Sequence, residues 1–187
     1  MARAGDSIDN PITRETITFR QTSHDTNGAL LQIDLVAQPG GAPIAAHVHP
    51  RQEERFRIVN GRVRTWLAGR ERELVTGDEL VVPAGTPHYW KNIGDDACHV
   101  VVEFRPALQW EKLFETMFAL ARDGRTDQQG RPHPLQMAVT FNYFRDEAQP
   151  VEARDRILSR FLPILAPLGR LMGYTAIYPN PTRDQRR

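Results

Sequence analysis

From residue 16 to residue 104, apolar and polar positions alternate in short runs, the period-two signature of strands that bury one face. Candidate strands fall at 17–21, 30–37, 45–49, 54–59, 62–67, 79–82, 86–91 and 97–104. Turn chemistry separates them: Pro39-Gly40-Gly41, Asn60-Gly61, Ala68-Gly69, Thr76-Gly77-Asp78, Pro83-Ala84-Gly85 and Gly94-Asp95-Asp96. Many short strands punctuated in this way predict an all-β sandwich or barrel. Asn60-Gly61, between two alternating segments, predicts a tight hairpin. After Arg105-Pro106 the period changes. Trp110, Leu113, Phe114, Met117, Phe118 and Ala121 recur at three-and-four spacing and predict an amphipathic helix over 109–122. A polar link at 123–134 leads to an apolar segment at 135–144 and a helical stripe over 151–172, which Pro163 and Pro167 are expected to break or kink. The chain thus divides into a β domain at 1–106 and an α-helical segment at 107–187 that packs on the β domain or on a dimer partner.

Composition removes several function classes. The 187 residues suit one domain with a core that needs no disulfides. Lys and Arg total 24 against 23 Asp and Glu, a net charge of +1, so no basic footprint for nucleic acid or an anionic membrane is expected. Cys98 is the lone cysteine, which excludes an intramolecular disulfide and suits a reducing, cytoplasmic setting. No apolar run is long enough to span a bilayer, and residues 1–7 lack the apolar core of a signal peptide.

The candidate chemistry starts in His47-Val48-His49-Pro50-Arg51-Gln52-Glu53-Glu54. Strand alternation points His47 and His49 to one side and Val48 to the other, so the pair can share a metal. In the next strand Glu54, Phe56 and Ile58 share one face, and Glu53, Arg55 and Arg57 share the opposite one. The mostly apolar face is the inner one, which turns Glu54 inward and leaves Glu53 at the surface. A carboxylate on an apolar face needs a strong partner, and a divalent cation serves. His88, at the start of a later strand expected to lie beside 79–82, is the fourth candidate, against the simpler reading of a hydrogen-bonded core histidine.

Gly41, His47, His49, Glu54 and Gly61, followed by Gly77, Pro83, Gly85, His88 and Asn92, stand at the spacings of the two sequence motifs of the cupin superfamily, which the region 28–106 resembles in ten positions. The resemblance implies a jelly-roll β-barrel with a C-terminal helical extension outside the motifs. It also implies His47, His49, Glu54 and His88 as ligands of one divalent transition metal, with Glu54 able to act as a general base. Three imidazoles and a carboxylate make a borderline donor set: iron is the expected metal, with manganese, nickel, copper, cobalt and zinc as alternatives. Four ligands on a six-coordinate ion leave two positions open, as in catalytic sites.

Such a site suits a small substrate that chelates through oxygen, and dioxygen beside it. A metal-dependent dioxygenase is therefore the expected activity. A non-redox isomerase, decarboxylase or lyase, or a binding barrel without catalysis, are the competing readings. Alternation places Thr86 and Trp90 on the face of His88, and Phe56 beside Glu54, as candidate pocket walls. Trp90 as plain core competes with that reading. Arg64 is expected to face solvent; His24, His99 and His133 lie outside both motifs and are read as turn, strand and loop residues. The apolar stripes of the C-terminal segment suggest a homodimer, with a lid or pocket-wall role also open.

Overall fold

Strand β5 (Glu53–Asn60) shows the rule on which the architecture rests: Glu54, Phe56 and Ile58 are buried, while Arg55 and Arg57 are exposed. In the computed structural model, which describes residues 2–178, this alternation repeats in β2 (Glu15–Gln21) and β3 (Leu31–Ala37). Together with β1 (Ser7–Asn10), β8 (Glu79–Val82) and β10 (Cys98–Arg105), these strands form an antiparallel sheet of order β1-β2-β3-β10-β5-β8. A second antiparallel sheet has the order β11-β4-β9-β6-β7. It is built from β4 (His47–Val48), β6 (Arg62–Leu67), β7 (Arg70–Val75), β9 (His88–Asn92) and β11 (Gln149–Pro150). Inner residues of both sheets, among them Phe19, Ile33, Phe56, Val63, Trp90 and Val102, share one core. Apolar burial of this kind is the main favourable term in the fold. Placing β10 between β3 and β5, and β9 between β4 and β6, gives the crossed connections of a jelly roll, although hydrogen bonds do not close the two sheets into one barrel.

Two expected neighbours are separated by this topology. Asn60-Gly61 does not close a hairpin: β5 belongs to the first sheet and β6 to the second, so the dipeptide carries the chain across the sandwich. Gly61 is required there, because φ is +97° and an added Cβ would lie 2.7 Å from the Cβ of Cys98. Likewise β9 does not lie beside β8; β8 pairs with β5, and β9 pairs with β4 and β6. In each case strand pairing follows the long connections of the jelly roll rather than sequence adjacency. Strand β7, absent from the sequence reading, buries only Leu74 among Arg70, Glu71, Arg72, Glu73 and Val75. It is an edge strand whose charges blunt further pairing, which is why it lacks a period-two apolar signal.

Among the described residues four helices follow: α1 (Trp110–Arg122), α2 (Pro134–Tyr143), α3 (Ala153–Ser159) and α4 (Leu162–Leu171). Trp110, Leu113 and Phe118 of α1 join the sandwich core. The stripe expected as one helix is two: Pro163 occupies the first turn of α4, where its missing N–H costs little, and Pro167 is accommodated within α4. Ala166 and Gly169 form the buried face of α4, which packs on α2. The C-terminal segment also contributes β11, so it is not purely helical.

Glu15 is buried on β2 opposite Ala37, which pairs with Cys98 at the end of β10 remote from Glu54 and Phe104. Burial pushes its carboxyl up to about 7, against the hydrogen bond donated by Thr13. A carboxyl whose folded value exceeds its unfolded one, near 4.5, contributes fully below that value and loses its contribution as pH rises towards 7. Glu15→Gln is therefore expected to match the wild type at pH 4 and to exceed it at pH 8 by on the order of 3 kcal/mol in urea unfolding. Parallel stability curves for the two proteins across this range would remove Glu15 as the source of the dependence.

Candidate metal centre

His47 and Val48 make up the whole of β4, a two-residue strand held between β9 and β11, where His47 pairs with His88 on one side and with Pro150 on the other. His49 follows and is buried; its carbonyl accepts the Gly85 N–H at 2.8 Å, which ties the His-x-His segment to the turn preceding His88. Glu54 is buried between Val82 of β8 and Phe104 of β10. His88 opens β9 beside Leu67. Gly41, upstream, has no room for a side chain, since a Cβ would fall 1.9 Å from the Thr13 carbonyl oxygen. Asn92 brackets the far end of β9, donating to the carbonyls of Ala37 and Asp96 and accepting from the Gly94 N–H.

The structure brings His47, His49, Glu54 and His88 together, with one ligand atom from each lying within 4.8 Å of the others. Each imidazole is oriented by a backbone carbonyl: Nδ1 of His47 donates to Ala45 at 2.9 Å, that of His88 to Thr86 at 3.0 Å, and that of His49 to Glu147 at 2.7 Å. A carbonyl can only accept, so Nδ1 carries the proton and Nε2 of each neutral ring presents its lone pair. Glu54 Oε2 lies 3.1 Å from Nε2 of His49 and 2.7 Å from Nε2 of His88. The latter nitrogen is buried and has no aligned hydrogen-bond partner among the described residues, despite its closeness to the carboxylate.

Lone pairs facing a carboxylate oxygen repel unless a proton or a metal ion lies among them; with a proton on Nε2, His49 donates to Glu54 Oε2 at 3.1 Å. The electrostatic shifts reflect the proton's way of relieving that repulsion, a charged ring facing the carboxylate. Burial, with the neighbouring His49 and His88 rings, pushes His47 down to about 4. Burial alone would raise Glu54, but His49 and His88 outweigh it and hold the carboxyl below the usual carboxylate range. Burial lowers His88, and Glu54 outweighs it in the opposite direction. At metal–ligand distances of about 2.0–2.2 Å, donors at adjacent positions of one ion lie roughly 3 Å apart, close to the separations of Glu54 from its two imidazoles. The cluster is compatible with a single divalent metal.

An aromatic wall backs the cluster. Trp110 meets His49 edge-on with ring centroids 5.1 Å apart and stacks on Phe104 at 4.8 Å. Gln52, fully buried, accepts from Trp110 Nε1 at 2.7 Å and donates to the carbonyls of Pro106 and Ala107. Sequence reasoning did not assign Gln52, Trp110 or Glu147 to the site. Gln52, polar between His49 and Glu54, was the one available signal; the Glu147 contact runs through a carbonyl, which any residue supplies.

Phe56 and Trp90 are buried on the inner face with rings 6.3 Å apart, and both belong to the apolar core. Thr86 is half-buried and meets the cluster through its carbonyl. Arg64 pairs with Glu73 on the outer face, where Trp66 stacks on Tyr89. His99 bonds Asp34 outside the sandwich, and His133 caps α2 and stacks on Tyr174. The buried Cys98 thiol is pushed up by burial, the state of an inert thiol.

Residues 34–104 match a family model described as a cupin domain. The chain is 29% identical over 91 residues to a quercetin 2,3-dioxygenase of Bacillus subtilis (strain 168), over 49% of this chain and 27% of that protein. It is 32% identical over 66 residues to polyketide synthase CurC of Streptomyces cyaneus, over 35% of this chain and 43% of that protein. The chain therefore spans less than half the length of either relative. Among solved structures, a predicted oxalate decarboxylase of Thermotoga maritima superposes with a TM-score of 0.49 at 18% identity, covering 57% of this chain and 98% of the other.

Gln52→Leu leaves the Trp110 indole N–H and two carbonyls without their partner in the interior. We expect a loss of about 3 kcal/mol in urea unfolding of the metal-free protein. A loss below about 0.5 kcal/mol would show that water or rearrangement replaces these bonds.

Proposed function

We propose that the chain, whose residues 34–104 match a cupin domain, is a member of the cupin superfamily and a metal-dependent enzyme, a dioxygenase acting on a small enolic, dicarbonyl or aromatic molecule whose oxygens chelate the ion. The observation that carries this reading is the convergence of imidazole Nε2 lone pairs on Glu54 Oε2, each ring fixed by its own carbonyl. Iron is the proposed metal, with manganese, nickel, copper, cobalt and zinc within reach of the same donor set. When bound, an ion with two open positions supplies a Lewis acid for an anionic oxygen pair and, as iron, a route for electrons from substrate to dioxygen.

The protein's part is binding and proton handling. Glu54 Oε2 faces the imidazoles, so Oε1 is the oxygen proposed to take the proton of a substrate hydroxyl. His47 is the one ligand of the four that is only half-buried, and the substrate is proposed to enter past it. Phe56 and Trp90, with Thr86 at the rim, are the proposed pocket wall, apolar enough to exclude water from the reacting oxygens. The similarity to a protein named as a quercetin 2,3-dioxygenase supports the oxygenase reading.

We further propose a homodimer built on the outer face of α3 and α4. Within α4, Ile164, Leu168 and Leu171 follow four-three spacing, the seam period of paired helices, and these three, with Ile157 of α3 and Phe161 of the intervening turn, are all at least half exposed. With Leu165 and Met172 they expose on the order of 800 Å² of side chain, one partner's share of a standard interface. A second copy offers the same apolar face, which a two-fold axis makes self-complementary. Among the described residues no helix is long and apolar enough to cross a membrane. The lone, buried Cys98 fits the reducing cytoplasm proposed as its setting.

Protein purified without added metal is expected to carry about one equivalent of transition metal per chain, and His88→Ala to lose at least roughly tenfold in metal affinity. Supplied with Fe(II), the wild type should consume oxygen with 1,3-diketones or catechols. Equal metal content in the variant would remove His88 from the site, and turnover without oxygen on zinc or manganese would replace the oxygenase reading by a non-redox one. Light scattering should give twice the chain mass for the wild type and a single chain for Leu168→Glu. A monomeric wild type that binds lipid vesicles would overturn the dimer and assign the face to a membrane surface.

A further inference from the structure

The carbonyl that orients His49 comes from a distant part of the chain. Ala45 and Thr86 each lie two residues from the histidine they hold, whereas Glu147 stands 98 residues beyond His49. The turn that carries it is fastened at several points. Glu147 and Ala148 donate backbone N–H groups to the Phe144 carbonyl, Gln149 and Pro150 pair with Val48 and His47, and the Val151 N–H donates to the Ala46 carbonyl. The Glu147 side chain is a further fastening. Its residue is 3% exposed, Oε1 accepts the Gln109 N–H where α1 begins, and Oε2 is buried with no partner among the described residues. A helix start favours a carboxylate there, and a buried oxygen without a partner costs stability. The fold bears that cost at the residue whose carbonyl holds His49.

We propose that residues 144–151 form a metal-coupled strap. By fixing His49 through the Glu147 carbonyl and flanking His47 through β11, the strap sets the affinity of the cluster, and occupation of the cluster in turn tightens the strap. Glu147 is a positioning residue, acting on the ion through His49. The inference rests on the metal-site reading above. A carbonyl on the second nitrogen of a ligating imidazole fixes the ring and raises its basicity, and loss of such a partner typically weakens metal binding 10–100-fold. Coupling of two binding equilibria is reciprocal, so whatever the strap adds to metal affinity the metal must return as strap stability.

The test uses the full chain with Zn²⁺ alone as the probe. Glu147→Ala, which frees the turn from α1, and Val151→Pro, which removes the N–H given to Ala46, are each expected to weaken Zn²⁺ binding about 10–100-fold in calorimetric titration. Glu147→Gln, able to accept from Gln109, should bind within about threefold of the wild type. In the wild type, Zn²⁺ should slow hydrogen exchange at the amides of Ala148, Gln149 and Val151 at least about tenfold. Unchanged affinity in both strap variants, or exchange at these amides indifferent to Zn²⁺, overturns the strap while leaving the metal site standing. A wild type that takes up no Zn²⁺ and no other divalent transition metal overturns the metal-site reading itself. If a variant fails to fold, exchange in the wild type decides the question.

Discussion

Three imidazole rings are held with their acceptor nitrogens towards one carboxylate, and the rest of the structure is arranged around that constraint. Acceptor facing acceptor in a buried space is unfavourable by itself. A pair such as His88 Nε2 and Glu54 Oε2, 2.7 Å apart without hydrogen-bond alignment, persists only because the surrounding fold holds both sides in place. Rotating a ring would relieve the repulsion but would break its Nδ1–H bond to a backbone carbonyl. A proton on His88 relieves part of it, which is the sense in which Glu54 shifts that ring. A divalent ion relieves all of it at once, because it accepts electron density from every donor simultaneously.

The sandwich supplies this rigidity unevenly. Glu54 stands on an eight-residue strand paired on both sides, so its position is determined by the core. His47 stands on a two-residue strand and His49 just beyond it, where the ladder has ended. These two positions depend on what is added from outside the motif region: Gly85 on the His49 carbonyl, β11 against β4, Trp110 against the His49 ring, and Gln52 tying that indole to residues 106 and 107. The helices after the sandwich are therefore part of the site's support, and α1 is bound into the same core as the strands.

Legibility from sequence follows how local each determinant is. Alternation through Glu54, Phe56 and Ile58 assigns an inward face from a few neighbouring residues, and the burial of β5 has that pattern. The outward placement of Arg64 and the change from period two to helical spacing after Arg105 are local in the same way. Sheet membership is not local: Asn60-Gly61 has the chemistry of a hairpin turn, yet the strands it joins enter different sheets because each finds longer-range partners, β10 for β5 and β9 for β6. Strand β7 left no apolar trace because only Leu74 faces inward. The Glu147 contact to His49 was illegible in principle, since a backbone carbonyl carries no residue identity and 98 positions separate the partners.

The donor set also constrains the chemistry that the proposed reading can support. One carboxylate among three neutral rings leaves a divalent ion with net positive charge, in an interior where such charge is weakly screened. A site with two or three carboxylates would be neutral or negative and would repel an enolate or catecholate; on the proposed reading this one, with a divalent ion bound, would attract them and lower the cost of deprotonating a hydroxyl as it binds. On that reading a substrate would gain most by presenting two oxygens, one of them ionised on entry, and by laying its carbon skeleton against the proposed wall of Phe56 and Trp90. A neutral, singly coordinating molecule would leave the charge uncompensated and the apolar wall unused. The proposed preference for anionic chelators would thus follow from the charge of Glu54 and its three partners together, whichever first-row metal they held.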